Sequence, residues 1–293
     1  MGSQPKWIGH VNLNVRDRPA AEAFYGTVLG MQPLLRMEQS PRQSGQPFAI
    51  SGKVWWDGVL LGDGRGLRGS ALDTLQWHPP LERDDPELHR MGLDELLFGM
   101  PDLLSVRDSA RGLDCPVEDV EHRFADGRTE TVLHLQDPDG THIEVDGDSD
   151  TPRFRGVRIN CASLEASADF YSRVCGLTPL PRVTYRVGER SYERQTMRYE
   201  GKHDTFRIEL SQVAPDDTLA PTLAVGNGIG LYRIAFMVAD IAESVEWLKT
   251  ECGIEASRAE IEIGGGTPTV HAAFFKDPDG TTVQYIEYGF LKQ

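Results

Sequence analysis

Two separate motifs occur twice in this chain, each time at nearly the same spacing. The segment FYGTVLGM at residues 24–31 returns as FYSRVCGL at 170–177, and DPDGT at 137–141 returns unchanged at 277–281. Recurrence of two unrelated motifs at a spacing of about half the chain indicates duplication of a domain. A length of 293 residues also suits roughly two domains of ordinary size. We therefore expect related domains over residues 1–147 and 153–293, joined by a short polar linker.

Each half divides further into two units that begin with a strand and continue with a helix. Over residues 7–15, apolar side chains alternate with polar ones such as His10 and Asn12, and residues 19–29 read as a helix ended by Gly30. The pattern recurs at 93–113, 155–176 and 231–252, each time followed by alternating segments with Gly-rich turns. The sequence thus predicts an α+β fold of four βαβββ units, near 7–78, 92–147, 154–213 and 229–290.

Composition excludes some classes of partner. The chain has 30 basic and 45 acidic residues, a formal charge of −15, which argues against nucleic acid or an anionic membrane as the main partner. No apolar run approaches the ~20 residues of a membrane span, and the first residues lack the pattern of a signal peptide. The cysteines at 115, 161, 175 and 252 are widely spaced and form no CxxC motif. We expect a cytoplasmic protein with reduced thiols.

Three segments together resemble one known superfamily. These are GHVNLNV at 9–15, AFYGTVLGM at 23–31 and DPDGTHIEV at 137–145. They are similar to the vicinal oxygen chelate superfamily, which includes glyoxalase I, extradiol dioxygenases, methylmalonyl-CoA epimerase and bleomycin-resistance proteins. The resemblance implies that paired units curl their sheets around a cavity, with the helices outside. It also implies that metal ligands come from the first and last strand of each unit.

Matching of the apolar pattern places four candidate ligands in the first half. They are His10 and Asp73 from unit one, and Glu95 and Glu144 from unit two. Three carboxylates and one imidazole in one cavity repel each other unless a cation or protons compensate. The resemblance thus implies a divalent metal bound by these residues, and the oxygen-rich set favours Mg²⁺, Mn²⁺, Zn²⁺ or Ni²⁺, with Fe²⁺ also open. A cavity without metal and with hydrogen-bonded polar walls is the alternative.

The resemblance also assigns further roles around this set. Glu144 or Glu95 would serve as general base, and Asn12 and His142 would contact the substrate. Extradiol dioxygenases of this scaffold use two histidines and one carboxylate, whereas Glu95 stands where a histidine is usual. Ring cleavage would need a second nitrogen ligand, for which His142 is the candidate.

The second half has lost this ligand set. The matching positions hold Gly156, Glu209, Arg233 and Gln284, and we expect Arg233 to pair with Glu209. By alternation, Arg158 and Arg207 point the same way. Arg158, Arg207 and Arg233 are therefore candidate substrate-binding residues for a carboxylate or phosphate. The favoured interpretation is a degenerate cavity sealed by ion pairs.

Other polar residues carry weaker signals. The histidines at 78, 89, 122, 134, 203 and 271 show no ligand spacing among themselves. The loops at 38–53 and 214–228 are the longest irregular segments and are candidates to cover a pocket.

These observations favour an enzyme. It would use a divalent metal to chelate neighbouring oxygens of a small organic substrate and stabilise an enolate or alkoxide, as in isomerase, epimerase or lyase chemistry. The alternatives are an extradiol-type ring-cleaving dioxygenase and a metal-free small-molecule binding or resistance protein. The expected partner is a small molecule, and the chain can act as a monomer or a homodimer.

Overall fold

All four predicted units are present, and local sequence signals explain their helices. A computed structural model describes residues 4–66, 69–82, 88–200, 206–214, 217–264 and 269–287, so the chain ends, including the end of predicted unit four, lie outside the described residues. Each helix begins after a side chain that accepts a hydrogen bond from the first turn: Asp17, Asp102, Ser163 and Asp240. Helix α1 (Arg18–Leu29) ends at Gly30, whose φ of 69° is left-handed.

The first half contains units one and two. Besides α1, unit one contains β1 (Trp7–Asn14), β2 (Gln32–Met37), β3 (Gln43–Ser44), a 3-10 turn (Gln46–Phe48), β4 (Lys53–Gly62) and β5 (Ala71–His78). Unit two contains β6 (Gly92–Gly99), α2 (Leu103–Gly112), β7 (Val117–Phe124), β8 (Thr129–Gln136) and β9 (His142–Asp146).

The second half repeats this order. Unit three contains β10 (Arg153–Cys161), α3 (Leu164–Arg173), β11 (Thr178–Pro179), β12 (Val183–Val187), β13 (Arg190–Arg198) and β14 (Arg207–Gln212). Unit four contains β15 (Gly230–Met237), α4 (Ile241–Cys252), β16 (Ser257–Ile261), β17 (Val270–Lys276) and β18 (Thr282–Glu287). Among the described residues, no helix combines the length and apolar character that a membrane crossing requires. All four cysteines are free of disulfide bonds.

Each unit forms its sheet with a unit of the other half of the chain. Strand β1 pairs with β15, so units one and four form one open sheet, in the order β16-β17-β18-β15-β1-β5-β4-β2. Strand β6 pairs with β10, and β7 pairs with β12, so units two and three close into a barrel. Each half therefore contributes one unit to each sheet. Our expectation that units one and two share a cavity is wrong, because the free edge of β1 meets β15 instead of β6.

The two repeated motifs contact each other and hold each half together. The Tyr25 hydroxyl of FYGTVLGM donates to Asp137 Oδ2 of the DPDG turn at 2.9 Å, and Tyr171 donates to Asp277 Oδ2 at 3.0 Å. The other carboxylate oxygen of Asp137 accepts the amides of Asp139 and Thr141, as expected for a turn-forming residue. Burial raises the pKa of Asp137 to about 6. These tyrosine–aspartate bonds join the open sheet to the barrel.

Removal of the tyrosine hydroxyl tests this connection. We expect Tyr25→Phe to lower the free energy of unfolding by about 1–2 kcal/mol, because the buried Asp137 loses a hydrogen-bond donor. Tyr171→Phe should cause a similar loss in the second half. Urea unfolding measures both values. Tyr192→Phe, on the half-buried face of β13, is the control and should change stability by less than about 0.5 kcal/mol. Equal stability of all three variants and the wild type would contradict the assigned role.

Candidate functional site: two cavities

The four predicted metal ligands do not converge on one cavity. His10 lies on β1 and Asp73 on β5, in the open sheet. Glu95 lies on β6 and Glu144 on β9, in the barrel. The cavity of the open sheet, between β1, β5, β15 and β18, is called the open-sheet cavity below, and the interior of units two and three is called the barrel cavity. Alternation along each strand directs these side chains inward, as predicted. The pairing of the units, however, places two of the four residues in each cavity.

The open-sheet cavity contains a polar cluster centred on Asp73. Its Oδ2 lies 3.6 Å from His10 Nε2, 3.4 Å from Asn12 Nδ2 and 3.1 Å from Arg233 Nη2. Arg233 also donates from Nη1 to Asn12 Oδ1 at 2.9 Å and from Nε to Gln284 Oε1 at 2.8 Å. The predicted pair between Arg233 and Glu209 is therefore wrong, because unit pairing places Arg233 beside Asp73 of unit one.

Charges in this cluster are set by burial. Burial, helped by Arg233, lowers the pKa of His10 to about 3, so the imidazole is neutral and its approach to Asp73 is not an ion pair. Burial raises the pKa of Asp73 to about 6, against the opposing effect of Arg233. His10 Nε2 has no hydrogen-bond partner in the described part of the chain. The cluster does not fit a divalent metal, because no third His, Cys, Asp or Glu ligand joins His10 and Asp73 among the described residues, and Arg233 pairs with Asp73.

Aromatic side chains fill the rest of the open-sheet cavity. The Phe48 ring contacts Trp77, Trp56 and Phe274 with centroid distances of 5.0, 5.6 and 5.7 Å. Phe48 belongs to the loop 38–53, which covers this cavity and leaves a volume of about 40 Å³. That volume suits a water molecule or two rather than an organic substrate.

The barrel cavity is larger than the open-sheet cavity. Its volume is about 270 Å³. Arg158 on β10 contacts three buried carboxylates: Glu95, Glu144 at 3.0 Å and Glu209 at 3.2 Å. The guanidinium thus lies between the positions that the resemblance assigned to metal ligands. Glu95 and Glu209 do not fit a metal, because Arg158 contacts both and the candidate metal groups include neither, whereas Glu144 also faces two imidazoles.

Two further arginines balance the remaining negative charge. Arg194 lies 3.3 Å from both Glu144 and Glu209, with its guanidinium carbon 4.0 Å above the Tyr185 ring. Arg207 Nε lies 2.8 Å from Glu209 Oε1. Burial opposes ionisation of Glu144, but Arg194 and the hydrogen bond to His134 hold its pKa below the usual value. Buried ion pairs therefore occur in both cavities, and not only in one derived from the second half.

Two histidines of the barrel, His122 and His134, were not selected from the sequence. His134 Nε2 lies 3.3 Å from Glu144 Oε2, and His122 Nε2 lies 3.8 Å from the same oxygen. One ligand atom from each of the three residues lies within 4.8 Å of the others. His122 is 2% exposed, and its Nε2 has no hydrogen-bond partner among the described residues. Burial lowers the pKa of His122 to about 4, which keeps the imidazole neutral and able to bind a cation.

A signal in the sequence could have found one of these histidines. The DPDG turn joins β8 to β9, and counting outward from it pairs Gln136 with His142 and His134 with Glu144. The predicted hairpin thus already placed an imidazole opposite a candidate ligand. His122 has no such signal, since its approach depends on the curvature of β7 around the barrel.

The predicted substrate-binding residues also divide between the cavities. Asn12 and Arg233 lie in the open-sheet cavity, whereas Arg158 and Arg207 belong to the ion-pair network of the barrel. His142 lies at one end of β9, with Nδ1 2.8 Å from His89 Nδ1.

Family comparison agrees with this architecture over both halves. Residues 7–145 and 157–274 each match a family model described as the glyoxalase/bleomycin resistance protein/dioxygenase superfamily. The chain belongs to this superfamily. Glyoxalase I from Zea mays has the same fold, with a TM-score of 0.69 at 20% identity over 98% of this chain and 94% of that one.

Two curated relatives of this superfamily member match about half of it. A probable lactoylglutathione lyase of Vibrio cholerae is 28% identical over 135 residues, which are 46% of this chain and 90% of the relative. A lactoylglutathione lyase of Arabidopsis thaliana is 26% identical over 140 residues, 48% of this chain and 46% of the relative. The match thus spans about half the length of the Arabidopsis relative.

Proposed function

We propose that this superfamily member is an enzyme that acts on a small organic molecule in the barrel cavity, with a divalent metal bound by His122, His134 and Glu144. The observation that carries the proposal is the convergence of these three ligand atoms within 4.8 Å, one of them a buried imidazole nitrogen without a hydrogen-bond partner. Of the four ligands predicted from the sequence, this proposal retains Glu144. It does not include His10, Asp73 or Glu95.

Two imidazoles and one carboxylate suit Zn²⁺, Ni²⁺, Fe²⁺ or Mn²⁺ better than Mg²⁺. When bound, such a metal would supply a Lewis acid to neighbouring oxygens of a substrate. The chain's own residues have separate tasks. Arg158 and Arg194 hold the Glu144 carboxylate in place and balance its charge. A volume of about 270 Å³ supports a small substrate.

The general-base role first considered for Glu144 and Glu95 has less support than the ligand role. Glu144 has a pKa held below its usual value, and Glu95 contacts the Arg158 guanidinium. A carboxylate that is stabilised in its ionised form accepts a proton weakly. We therefore assign Glu144 to the metal and Glu95 to the positioning of Arg158.

Lyase or isomerase chemistry is the reaction class that we favour. The two curated relatives carry the name lactoylglutathione lyase, which supports this class. A ring-cleaving dioxygenase is the second candidate, because two histidines and one carboxylate are also the ligand set of non-haem ferrous oxygenases. Bound iron would favour the oxygenase, and bound zinc or nickel would favour the lyase. Both cavities are completed within one chain, so neither reaction requires a second copy.

Metal analysis of purified protein tests the proposal. We expect His122→Gln to lose about one equivalent of divalent metal relative to the wild type, measured by inductively coupled plasma mass spectrometry. His10→Gln is the matched control, because His10 is also a buried histidine with an unpartnered Nε2, but it lies beside Arg233.

Two results would oppose the proposal. Loss of metal in His10→Gln but not in His122→Gln would return the site to the open-sheet cavity. Failure of the wild type to take up Zn²⁺, Mn²⁺, Ni²⁺ or Fe²⁺ would make metal-free ligand binding the leading function.

A further inference from the structure

We propose a second cation site at the end of the barrel, formed by His89, Asp94 and His142, which binds a zinc-like divalent ion. His89 precedes β6, Asp94 lies within β6, and His142 begins β9. The site shares no ligand with the His122–His134–Glu144 centre. It is therefore a separate proposal with its own observations.

The three side chains meet through a single ring nitrogen. His89 Nδ1 lies 2.7 Å from Asp94 Oδ2 and 2.8 Å from His142 Nδ1, and the two imidazole rings have centroids 4.0 Å apart. All three ligand atoms lie within 4.8 Å of one another. The side chain of Asp94 is only 4% exposed, whereas that of His89 is 52% exposed, which leaves one side of the cluster open to solvent.

Ordinary hydrogen bonds cannot account for both of these short contacts of His89 Nδ1. A ring nitrogen of histidine carries either one N–H or one lone pair, directed along a single line in the ring plane. His89 Nδ1 therefore cannot donate a straight hydrogen bond to Asp94 and also accept one from His142. A cation between the three atoms accepts a lone pair from each of them. Zinc binds nitrogen and oxygen at about 2.0–2.2 Å, so shifts of well under 1 Å would open the cluster to an ion.

The carboxylate of this cluster is already oriented for binding. Asp94 Oδ1 accepts the backbone amide of Arg90 at 2.6 Å, which directs Oδ2 toward His89. Burial opposes ionisation of Asp94, but the contact with His89 keeps the pKa of the carboxyl group below its usual value. Two imidazoles and one carboxylate, with an open side for water, match zinc and similar borderline ions better than Mg²⁺ or Ca²⁺.

Titration of metal-free protein with Zn²⁺, followed by calorimetry, tests the site. We expect His89→Gln and His142→Gln each to bind about one equivalent fewer than the wild type, and His122→Gln to retain this equivalent. His271→Gln is the matched control, because His271 is a half-exposed histidine 3.8 Å from Glu260 with no third partner in the candidate metal groups. It should bind as the wild type does.

The result that would overturn the proposal is equal Zn²⁺ stoichiometry in wild type, His89→Gln and His142→Gln. Loss of an equivalent in His122→Gln alone would support the barrel centre and reject this second site. Loss in His89→Gln alone, with a folded His142→Gln unchanged, would also reject it. His89 is half-exposed, so its variant remains informative if His142→Gln does not fold.

Discussion

Replacement of Arg158 by methionine is expected to lower the free energy of unfolding by about 3–5 kcal/mol. The Arg158 guanidinium contacts Glu95, Glu144 and Glu209, and its side chain is 7% exposed. Without it, three carboxylates would face each other in a buried cavity with less positive charge. Urea unfolding measures the loss. It is done near neutral pH, where carboxylates ordinarily carry a negative charge and repel one another.

Controls separate this effect from a general effect of losing an arginine. Arg123→Met, at a side chain 70% exposed and paired with Glu121, should change stability by less than about 0.5 kcal/mol. The double variant Arg158→Met with Glu95→Gln should recover part of the loss, because it removes one of the uncompensated charges. A loss below about 1 kcal/mol for Arg158→Met would contradict the role of Arg158 as the centre of the barrel network.

Acid is expected to destabilise the wild type through His10, and His10→Gln should lack this part of the loss. The pKa of His10 is about 3 in the folded chain and 6.5 as the ordinary value, so the unfolded chain binds the proton more readily. The free energy of unfolding therefore decreases as the pH drops below 6.5, and this contribution is fully present above that pH. Between about pH 7.5 and 4.5, this one group removes about 2–3 kcal/mol from the wild type.

The difference between the two pH profiles isolates His10. Asp73, whose pKa is raised to about 6, titrates in the same range but is present in both proteins. His271→Gln, at a half-exposed position, should follow the wild-type profile. Parallel profiles for wild type and His10→Gln, from unfolding curves at each pH, would show that His10 is not held neutral by the open-sheet cavity.

Local patterns were enough to predict the units of this fold. Alternation over β1 and the stop at Gly30 gave the first strand and helix, and the repeated DPDG turn gave the hairpins at the end of units two and four. These features depend on neighbours within a few residues, which a sequence displays directly. The superfamily was also recognisable from its motifs.

The candidate site was less predictable, because it depends on which units meet. The first strand of every unit alternates in the same way, so nothing local to β1 distinguishes β6 from β15 as its partner. This one ambiguity divided the predicted ligands and replaced an expected Arg233–Glu209 pair by Arg233–Asp73. His122 entered the site only through barrel curvature, which has no short-range signal.

Units two and three are neighbours in the sequence, whereas units one and four are at opposite ends of it. The two sheets therefore differ in the length of chain that must close before they form. Arg158 and Glu95 of the barrel are 63 residues apart, whereas Arg233 and Asn12 of the open sheet are 221 apart. Closing the longer loop costs about 1 kcal/mol more in chain entropy, and its contacts have the higher contact order. The barrel can form from one continuous stretch while the chain is still growing. The open sheet is completed only when the last unit meets the first. A chain truncated before unit four therefore keeps His122, His134 and Glu144 of the barrel but lacks β15 and β18, which close the open-sheet cavity.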